Sequence, residues 1–362
     1  WDREADMDLG DNPRIDQMVF PRPKFSDAER TDDETALRAT EWAQPAIGTS
    51  SLALLEMMRA LGVNADAVAG HSFGEITALH AAGVFDETAM LGVARKRGEL
   101  MAAASETPGA MSAVSADIKA VDAMIKALGR KDVVVANHNH PTQVVISGTI
   151  EGVDAAESKL NADGVRFTRL AVGTAFHSPV VADATKPFGA YLSDVKFGKA
   201  TTTVWSGESA EAYESTAPKK RARLARQIAN PVRFVSLLEG MADSGIQTFI
   251  EVGPGSVLTG LVGRTLKGRA HTAIALDRKG KDGIVSLNRG LAAMVAAGIE
   301  LNLNALWEGY GEPEDIGART PPKLAVPICG ANYGKAYPPK GGTAALPPPN
   351  PEKPATVATP VA

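Results

Sequence analysis

Apolar positions follow two rhythms along this chain, and the change of rhythm divides it. From Thr40 a helical pattern begins at Gln44-Pro45, and Ile47, Leu52, Leu55, Met58 and Leu61 form one stripe that stops at Gly62. Residues 67–69 are a short apolar run. They meet the corner Gly70-His71-Ser72-Phe73-Gly74, and a helix-compatible segment then ends at Gly83. The reading is strand, tight turn, helix, with a serine at the apex. A second helix is predicted over about 87–103 and carries Arg95, Lys96 and Arg97. Between 111 and 170 the rhythm alternates: strand 111–114, helix 118–128, strands 132–137 and 143–147, helix 153–162, strand 165–170. That βαββαβ order is a split unit that folds on itself. It predicts an insert that returns to the main body at Ala171 and forms one wall of a cleft.

The flanks are less periodic. Residues 1–40 are charged and turn-rich, with a short extended piece expected at 18–21. Residues 245–263 read as strand, Gly-Pro-Gly turn and helix, and 287–297 as a further helix. Prolines accumulate beyond Glu312, and 338–362 is Pro/Ala/Lys-rich without apolar periodicity, the composition of an extended linker.

With 362 residues, 44% of them hydrophobic, the chain can bury a large core as two units or as one unit with an insert. Its net charge of −4 gives no reason to expect nucleic acid or a membrane surface as partner. The single Cys329 excludes an internal disulfide framework and a cysteine metal cluster, and it suits a reducing, cytoplasmic compartment. Neither a signal peptide nor a bilayer-length apolar run is found. The chain opens at Trp1 rather than Met, so it reads as a piece of something longer.

The corner at Ser72 is where chemistry is expected. Glycines on both sides let the serine take a strained conformation, and the helix behind it aims free N–H groups and a positive dipole end at whatever the serine attacks. A serine hydroxyl still needs a base. His71 adjoins Ser72, and neighbours at a turn point apart, so it reads as a packing or hydrogen-bonding residue. His177, in Thr174-Ala175-Phe176-His177-Ser178-Pro179, reads by itself as a core histidine capping a turn. His80 lies within the following helix; His138, His140 and His271 fall in loops or at strand ends.

Three segments together carry a resemblance. Gly70-His71-Ser72-Phe73-Gly74-Glu75, Ala175-Phe176-His177-Ser178 and Glu251-Val252-Gly253-Pro254-Gly255 resemble, in order and near spacing, the signatures of malonyl-CoA:acyl-carrier-protein transacylases. Gln44-Pro45-Ala46 and the run from Asn139 to Val145 are similar to two further family segments. The match covers about 40–305. The lead-in at 20–27 and the Ala/Pro-rich tail resemble the acyltransferase domain of a polyketide-type polyunsaturated fatty acid synthase.

The resemblance implies an α/β fold: an α/β hydrolase-like large subdomain (1–110 and 171–310), an inserted ferredoxin-like small subdomain (111–170) and a linker (311–362). It implies that Ser72 is the acyl-accepting nucleophile and His177 the general base, then acid. Arg97 falls where the family holds the arginine that grips the substrate's free carboxylate, a task suited to a planar guanidinium. Gln44 matches a pocket glutamine whose amide could donate to substrate, and a polar residue at a helix start is an equal reading. The Phe73 N–H would supply half an oxyanion hole, and Phe176 resembles the malonyl-selecting form. The family orients its histidine with a backbone carbonyl, for which the turn at 251–255 is the expected source. Glu75 is expected to cap the helix start.

The resemblance implies no permanently bound cofactor or metal. Malonyl-CoA is the expected substrate and the phosphopantetheine of an acyl carrier protein the acceptor, with carrier domains downstream in the same polypeptide and a ketosynthase upstream. One departure is that the family's leading Gly-Gln-Gly turn, which completes the oxyanion hole, does not occur in this chain. The basic stretch 218–226 is either a solvated face or a docking patch for an acidic carrier protein, with Lys219 and Arg223 as the residues to reverse. Three other readings stay open: a serine esterase or thioesterase sharing the corner, an acyltransferase using another acyl-CoA, and a non-enzymatic scaffold module.

Overall fold

Local capping makes the charged N-terminal stretch helical. The computed structural model describes residues 14–104, 108–311, 315 and 340–345. Helix α1 (Ile15–Val19) takes the first half of the piece expected to be extended, and α2 (Asp27–Arg38) fills a stretch read as turns. The Ser26 hydroxyl accepts from the Glu29 N–H at 3.2 Å, and the Glu29 carboxylate accepts from the Ser26 N–H at 3.2 Å. This reciprocal cap starts α2. No side chain of α2 is buried, so it has no apolar stripe to betray it.

Helix α3 (Thr40–Ala60) follows, then β1 (Ala67–Val68), α4 (Gly74–Ala81) and α5 (Glu87–Ala103). Leu52, Met58 and Leu61 of the predicted stripe are buried, whereas Ile47 faces out. Helices α3 and α5 cross closely at Gly98. A Cβ there would lie 2.6 Å from the Glu41 Cα and the Thr40 carbonyl oxygen. The missing side chain lets the two helices approach, and it brings Gln44 on α3 beside Arg97 on α5.

The insert consists of β2 (Gly109–Val114), α6 (Ile118–Ala127), β3 (Val133–His140), β4 (Gln143–Thr149), α7 (Ile150–Ala162) and β5 (Phe167–Arg169). Its strands form an antiparallel sheet in the order β3-β4-β2-β5, the ferredoxin-like arrangement. Alternation assigns the faces. Ala110, Val114, Val144 and Ile146 pack under the helices with Val121, Ile125, Val153 and Leu160. Met111 and Val145, with Ala136, point the other way and meet Leu170 and Phe176. The outer edge of β3 is not free. The Val232 N–H donates to the Ala136 carbonyl at 2.8 Å, and the His138 N–H donates to the Val232 carbonyl at 2.9 Å.

The body resumes with a 3-10 turn (Pro179–Ala184), then α8 (Thr185–Asp194), β6 (Thr203–Val204), α9 (Ala217–Gln227) and α10 (Phe234–Asp243). After these come β7 (Thr248–Glu251), α11 (Val257–Thr265), β8 (Thr272–Ala275), α12 (Gly283–Ala296) and a last 3-10 turn (Leu303–Trp307). Strand β1 pairs in parallel with β6, and β7 with β8. Short parallel strands, with helices supplying the cover, make this an α/β body. Its largest core joins α4, α5, α8 and α9 through Leu79, Met90, Leu91, Phe188, Leu192 and Leu224, all buried.

The chain divides at Glu308, with a second unit at 309–362. Most of that unit, including the expected linker, lies outside the described residues; those described include a short 3-10 turn at Gly342–Ala345. Among the described residues no helix is long and apolar enough to cross a membrane, and no cluster of His, Cys, Asp or Glu could hold a metal ion.

Candidate active site

The corner between β1 and α4 puts Ser72 in the left-handed region, at φ 51°. That conformation is uncommon for a residue with a side chain, and here its neighbours impose it. Gly70 makes the turn possible: a Cβ at that position would fall 1.9 Å from the Gly74 carbonyl carbon. Gly74 itself faces open space. Phe73 stands at the helix N-cap, so its N–H is among the groups with no intrahelical acceptor.

His177 arrives from the opposite side and is also left-handed, at φ 57°. Ser178 starts the following 3-10 turn: its hydroxyl donates to the Ala175 carbonyl at 2.7 Å and accepts from the Val180 N–H at 3.2 Å. The result aims the imidazole at the corner, with His177 Nε2 2.7 Å from Ser72 Oγ.

Two carbonyls set the tautomer. His177 Nδ1 lies 3.0 Å from the Gln227 carbonyl oxygen and 2.9 Å from that of Asn230. Both can only accept, so Nδ1 carries the proton and Nε2 presents a lone pair to the Ser72 hydroxyl. The ring is buried. Burial foremost, then the Arg97 and His71 charges, push its pKa down to about 3, against the raising effect of the two carbonyl bonds. At neutral pH His177 is an uncharged base.

These carbonyls correct the expected source. The turn after β7 does not orient His177; the Glu251 carboxylate caps α11, accepting from the Leu258 and Thr259 N–H groups at 3.0 and 2.6 Å. The orienting pair stands at the end of α9, where the last helical carbonyls have no intrahelical donor and Pro231 has no N–H to offer. An Asn-Pro pair closing a polar helix was the signal that could have found them.

Arg97 is the third group. It is 1% exposed, and it donates to Gln44 Oε1 at 2.9 Å, Gln227 Oε1 at 3.1 Å and Ser72 Oγ at 3.2 Å. All three acceptors are neutral, and among the described residues its buried Nε has no partner. Burial lowers its pKa to about 10, offset in part by Glu75 and Tyr213, so it stays cationic near neutrality. Among the described residues no carboxylate touches this buried guanidinium, which is costly unless a ligand supplies one.

Gln44 is therefore occupied. Its carbonyl oxygen holds Arg97 while its amide donates to Thr40 Oγ1 at 2.6 Å. Gln227, not singled out in the sequence, is the hub of the site: besides Arg97, its amide donates to the Ser72 carbonyl at 2.7 Å. His71 turns away from the serine's partner and meets Asn139 Oδ1 at 2.8 Å, tying the corner to the insert. Phe176, half-buried, packs on both the body core and the inner face of the insert.

Glu75 does not cap α4. It lies beneath the corner, fully buried, and accepts from the Gly207 N–H at 2.9 Å, the Ser206 hydroxyl at 3.3 Å and the Tyr213 hydroxyl. Burial raises its pKa to about 6, more than these bonds and the Arg97 charge lower it.

The basic stretch also differs from the docking reading. Lys220 and Arg223 of α9 are buried. Lys220 donates to the Gly198 and Ser215 carbonyls at 3.3 and 2.8 Å, and Arg223 pairs with Glu214 at 2.6 Å. Lys219 is exposed. The helix turns two of its cations inward to hold loops, so Arg223 is not free to meet a partner.

Comparison with known proteins finds relatives of this chain in sequence and in fold. Residues 17–301 match the family model "Acyl transferase domain". The chain is 36% identical over 233 residues to a malonyl CoA-acyl carrier protein transacylase of Synechocystis sp., covering 64% of this chain and 78% of that protein. It is 30% identical over 302 residues to a polyunsaturated fatty acid synthase polypeptide of Thraustochytrium sp., covering 82% of this chain and only 11% of that much longer polypeptide. Among solved structures, the acyltransferase domain from the second module of the salinomycin polyketide synthase superposes with a TM-score of 0.73 at 28% identity, covering 83% and 69%.

Proposed function

We propose that this chain, which belongs to the acyl transferase domain family, moves a malonyl group from malonyl-CoA to the phosphopantetheine thiol of an acyl carrier protein. The observation that carries the reading is Arg97, a buried cation without a carboxylate, 3.2 Å from a serine oxygen that lies 2.7 Å from an uncharged histidine nitrogen. An acyl group with a distal negative charge fits that arrangement, because it would join Ser72 at one end and satisfy Arg97 at the other.

In the first half-reaction Ser72 Oγ attacks the thioester carbon while its proton passes to His177 Nε2. The C–O bond forms, the C–S bond breaks, and the proton leaves on the coenzyme A sulfur. In the second, a carrier thiol gives its proton to His177 and attacks the ester, and Ser72 recovers the proton as its C–O bond breaks. The carbonyls of Gln227 and Asn230, at the negative end of α9, favour the imidazolium that forms in each step. The Phe73 N–H lies at the helix start beside the nucleophile, where it can donate to the developing oxyanion. Phe176 narrows the acyl site towards malonyl. Likeness to a much longer synthase polypeptide supports a multidomain setting; a ketosynthase ahead and carrier domains behind are the arrangement we propose for it.

Trapping the ester with radiolabelled malonyl-CoA tests the reading. Wild-type chain should retain label on Ser72, and Ser72→Ala should retain none; equal labelling of both would overturn the assignment.

A further inference from the structure

The loop 205–213, between β6 and α9, touches both halves of the site and has no assigned role. It is tightly made: Ala210 takes φ 57°, its N–H donates to the Ser206 carbonyl at 2.9 Å, and the Ser206 N–H donates to the Glu211 carbonyl at 2.9 Å. At one end the buried Glu75 carboxylate grips the Gly207 N–H and the Ser206 and Tyr213 hydroxyls, and Glu75 lies only one turn of α4 past Ser72. At the other end Glu208 reaches α9. Its Oε1 accepts from Arg226 Nε at 3.2 Å and from Asn230 Nδ2 at 2.7 Å. The positions it ties, 226 and 230, bracket the two residues whose carbonyls hold the imidazole, 227 and 230. Arg223 adds a third tie, through the Ser209 hydroxyl.

We propose that Glu208 is a positioning residue, which fixes the Asn230 carbonyl against His177 and so keeps the base in line with the serine. The chemistry asks for such a tie. Residues 228–230 lie beyond the last helical residue. The Ala229 and Asn230 N–H groups still donate to the Arg226 carbonyl at 3.1 and 3.2 Å, but Gln227 and Asn230 turn their own carbonyls to the imidazole, at the helix end where carbonyls are left over from the ladder. A carboxylate that takes a side-chain donor from each end of that short turn adds a second constraint to these backbone bonds, and the ion pair to Arg226 strengthens it. Many serine enzymes place an acid directly on the histidine; in this chain the acid acts one carbonyl removed. The proposal rests on Ser72 and His177 acting as nucleophile and base, but not on the identity of the acyl group.

The test therefore uses two readouts. One is the rate at which an alkyl fluorophosphonate modifies Ser72, which needs the serine–histidine pair and no malonyl recognition. The other is malonyl transfer to a phosphopantetheine thiol. Glu208→Ala should slow both, lowering kcat by up to ~10²-fold, the cost of about an ångström of misplacement, with KM for malonyl-CoA unchanged. Glu208→Gln, which still accepts from Asn230, should restore most of the rate. Asn230→Ala keeps the backbone carbonyl but loses the tie; it should match Glu208→Ala, and the double variant should be no slower than either. Should Glu208→Ala fold poorly, Asn230→Ala carries the test, and a wild-type fluorophosphonate rate in it overturns the proposal. Additive losses, or a loss confined to KM, overturn it too. Wild-type chain that reacts with the fluorophosphonate yet ignores malonyl-CoA would defeat the malonyl reading and leave this one standing. Wild-type chain that reacts with neither would defeat both.

Discussion

Replacing Arg97 with alanine should change which acyl group the site accepts more than how fast it reacts. The guanidinium is 1% exposed and meets only neutral acceptors, so a bound malonyl carboxylate would be its single full counter-charge in contact. Removing one member of a desolvated charge pair costs ~3–5 kcal/mol. At ~1.4 kcal/mol per decade, kcat/KM for malonyl-CoA should fall by ~10²–10⁴. Acetyl-CoA has no distal charge. Two further losses in the variant, the bond to Ser72 and the stranded oxygens of Gln44 and Gln227, burden both substrates alike and cancel in their ratio. The malonyl-to-acetyl preference should therefore collapse by the full ~10²–10⁴, whatever happens to the absolute rates. Arg97→Lys should recover only part of it, because an ammonium cannot serve Gln44, Gln227 and a carboxylate from one point. Single-turnover acylation with each thioester, read by mass spectrometry of the intact chain, gives both rate constants. An Arg97→Ala variant that still prefers malonyl as strongly as wild type would refute the reasoning.

Two further outcomes follow from the ground beneath the corner. Glu75 ionises at 4.5 as a free carboxyl and at about 6 when folded. A raised pKa adds stability below 4.5 that is lost as pH rises through 6, worth ~2 kcal/mol at ~1.36 kcal/mol per pH unit. Chemical denaturation of Glu75→Gln and wild type should therefore show the variant gaining ~2 kcal/mol relative to wild type between pH 4.5 and 7; a constant difference would contradict it. Gly70→Ala puts a methyl group 1.9 Å from the Gly74 carbonyl carbon and 2.3 Å from the Glu75 nitrogen, both backbone atoms that cannot swing aside. It should abolish Ser72 acylation and lower thermal stability, and a soluble variant with wild-type labelling would show that the corner can relax.

Periodicity and turn chemistry made the secondary structure of the insert legible, because each of its strands has one face on its own helices. Val114, Val144 and Ile146 could not alternate otherwise. The corner at Ser72 was legible too, since Gly70 leaves few alternatives. Residues that act through their backbone were hidden. Gln227 and Asn230 hold His177 with carbonyl oxygens, which every residue owns, so the one mark they leave in the sequence is the Asn-Pro pair that ends the helix. The inward turn of Lys220 and Arg223 was equally opaque: a run of cations on a helix reads as surface until the loops that satisfy them are in place. Glu75 was misplaced for a similar reason, since its partners at 206, 207 and 213 are more than a hundred residues away. Helix α2 was missed because capping residues, rather than an apolar stripe, define it.

The seam along β3 sets how this cleft can work. That strand is bonded through its outer edge to Val232, two residues past one orienting carbonyl, and through Asn139 to the neighbour of Ser72. For the insert to swing like a jaw, it would have to unzip from the segment that carries the histidine's support and pull on the nucleophile's own turn. A jaw that disarms the site each time it opens is of little use. Any movement of this wall is therefore felt at the histidine's support and at the nucleophile's turn, which makes the width of the cleft and the alignment of the serine–histidine pair one coupled variable.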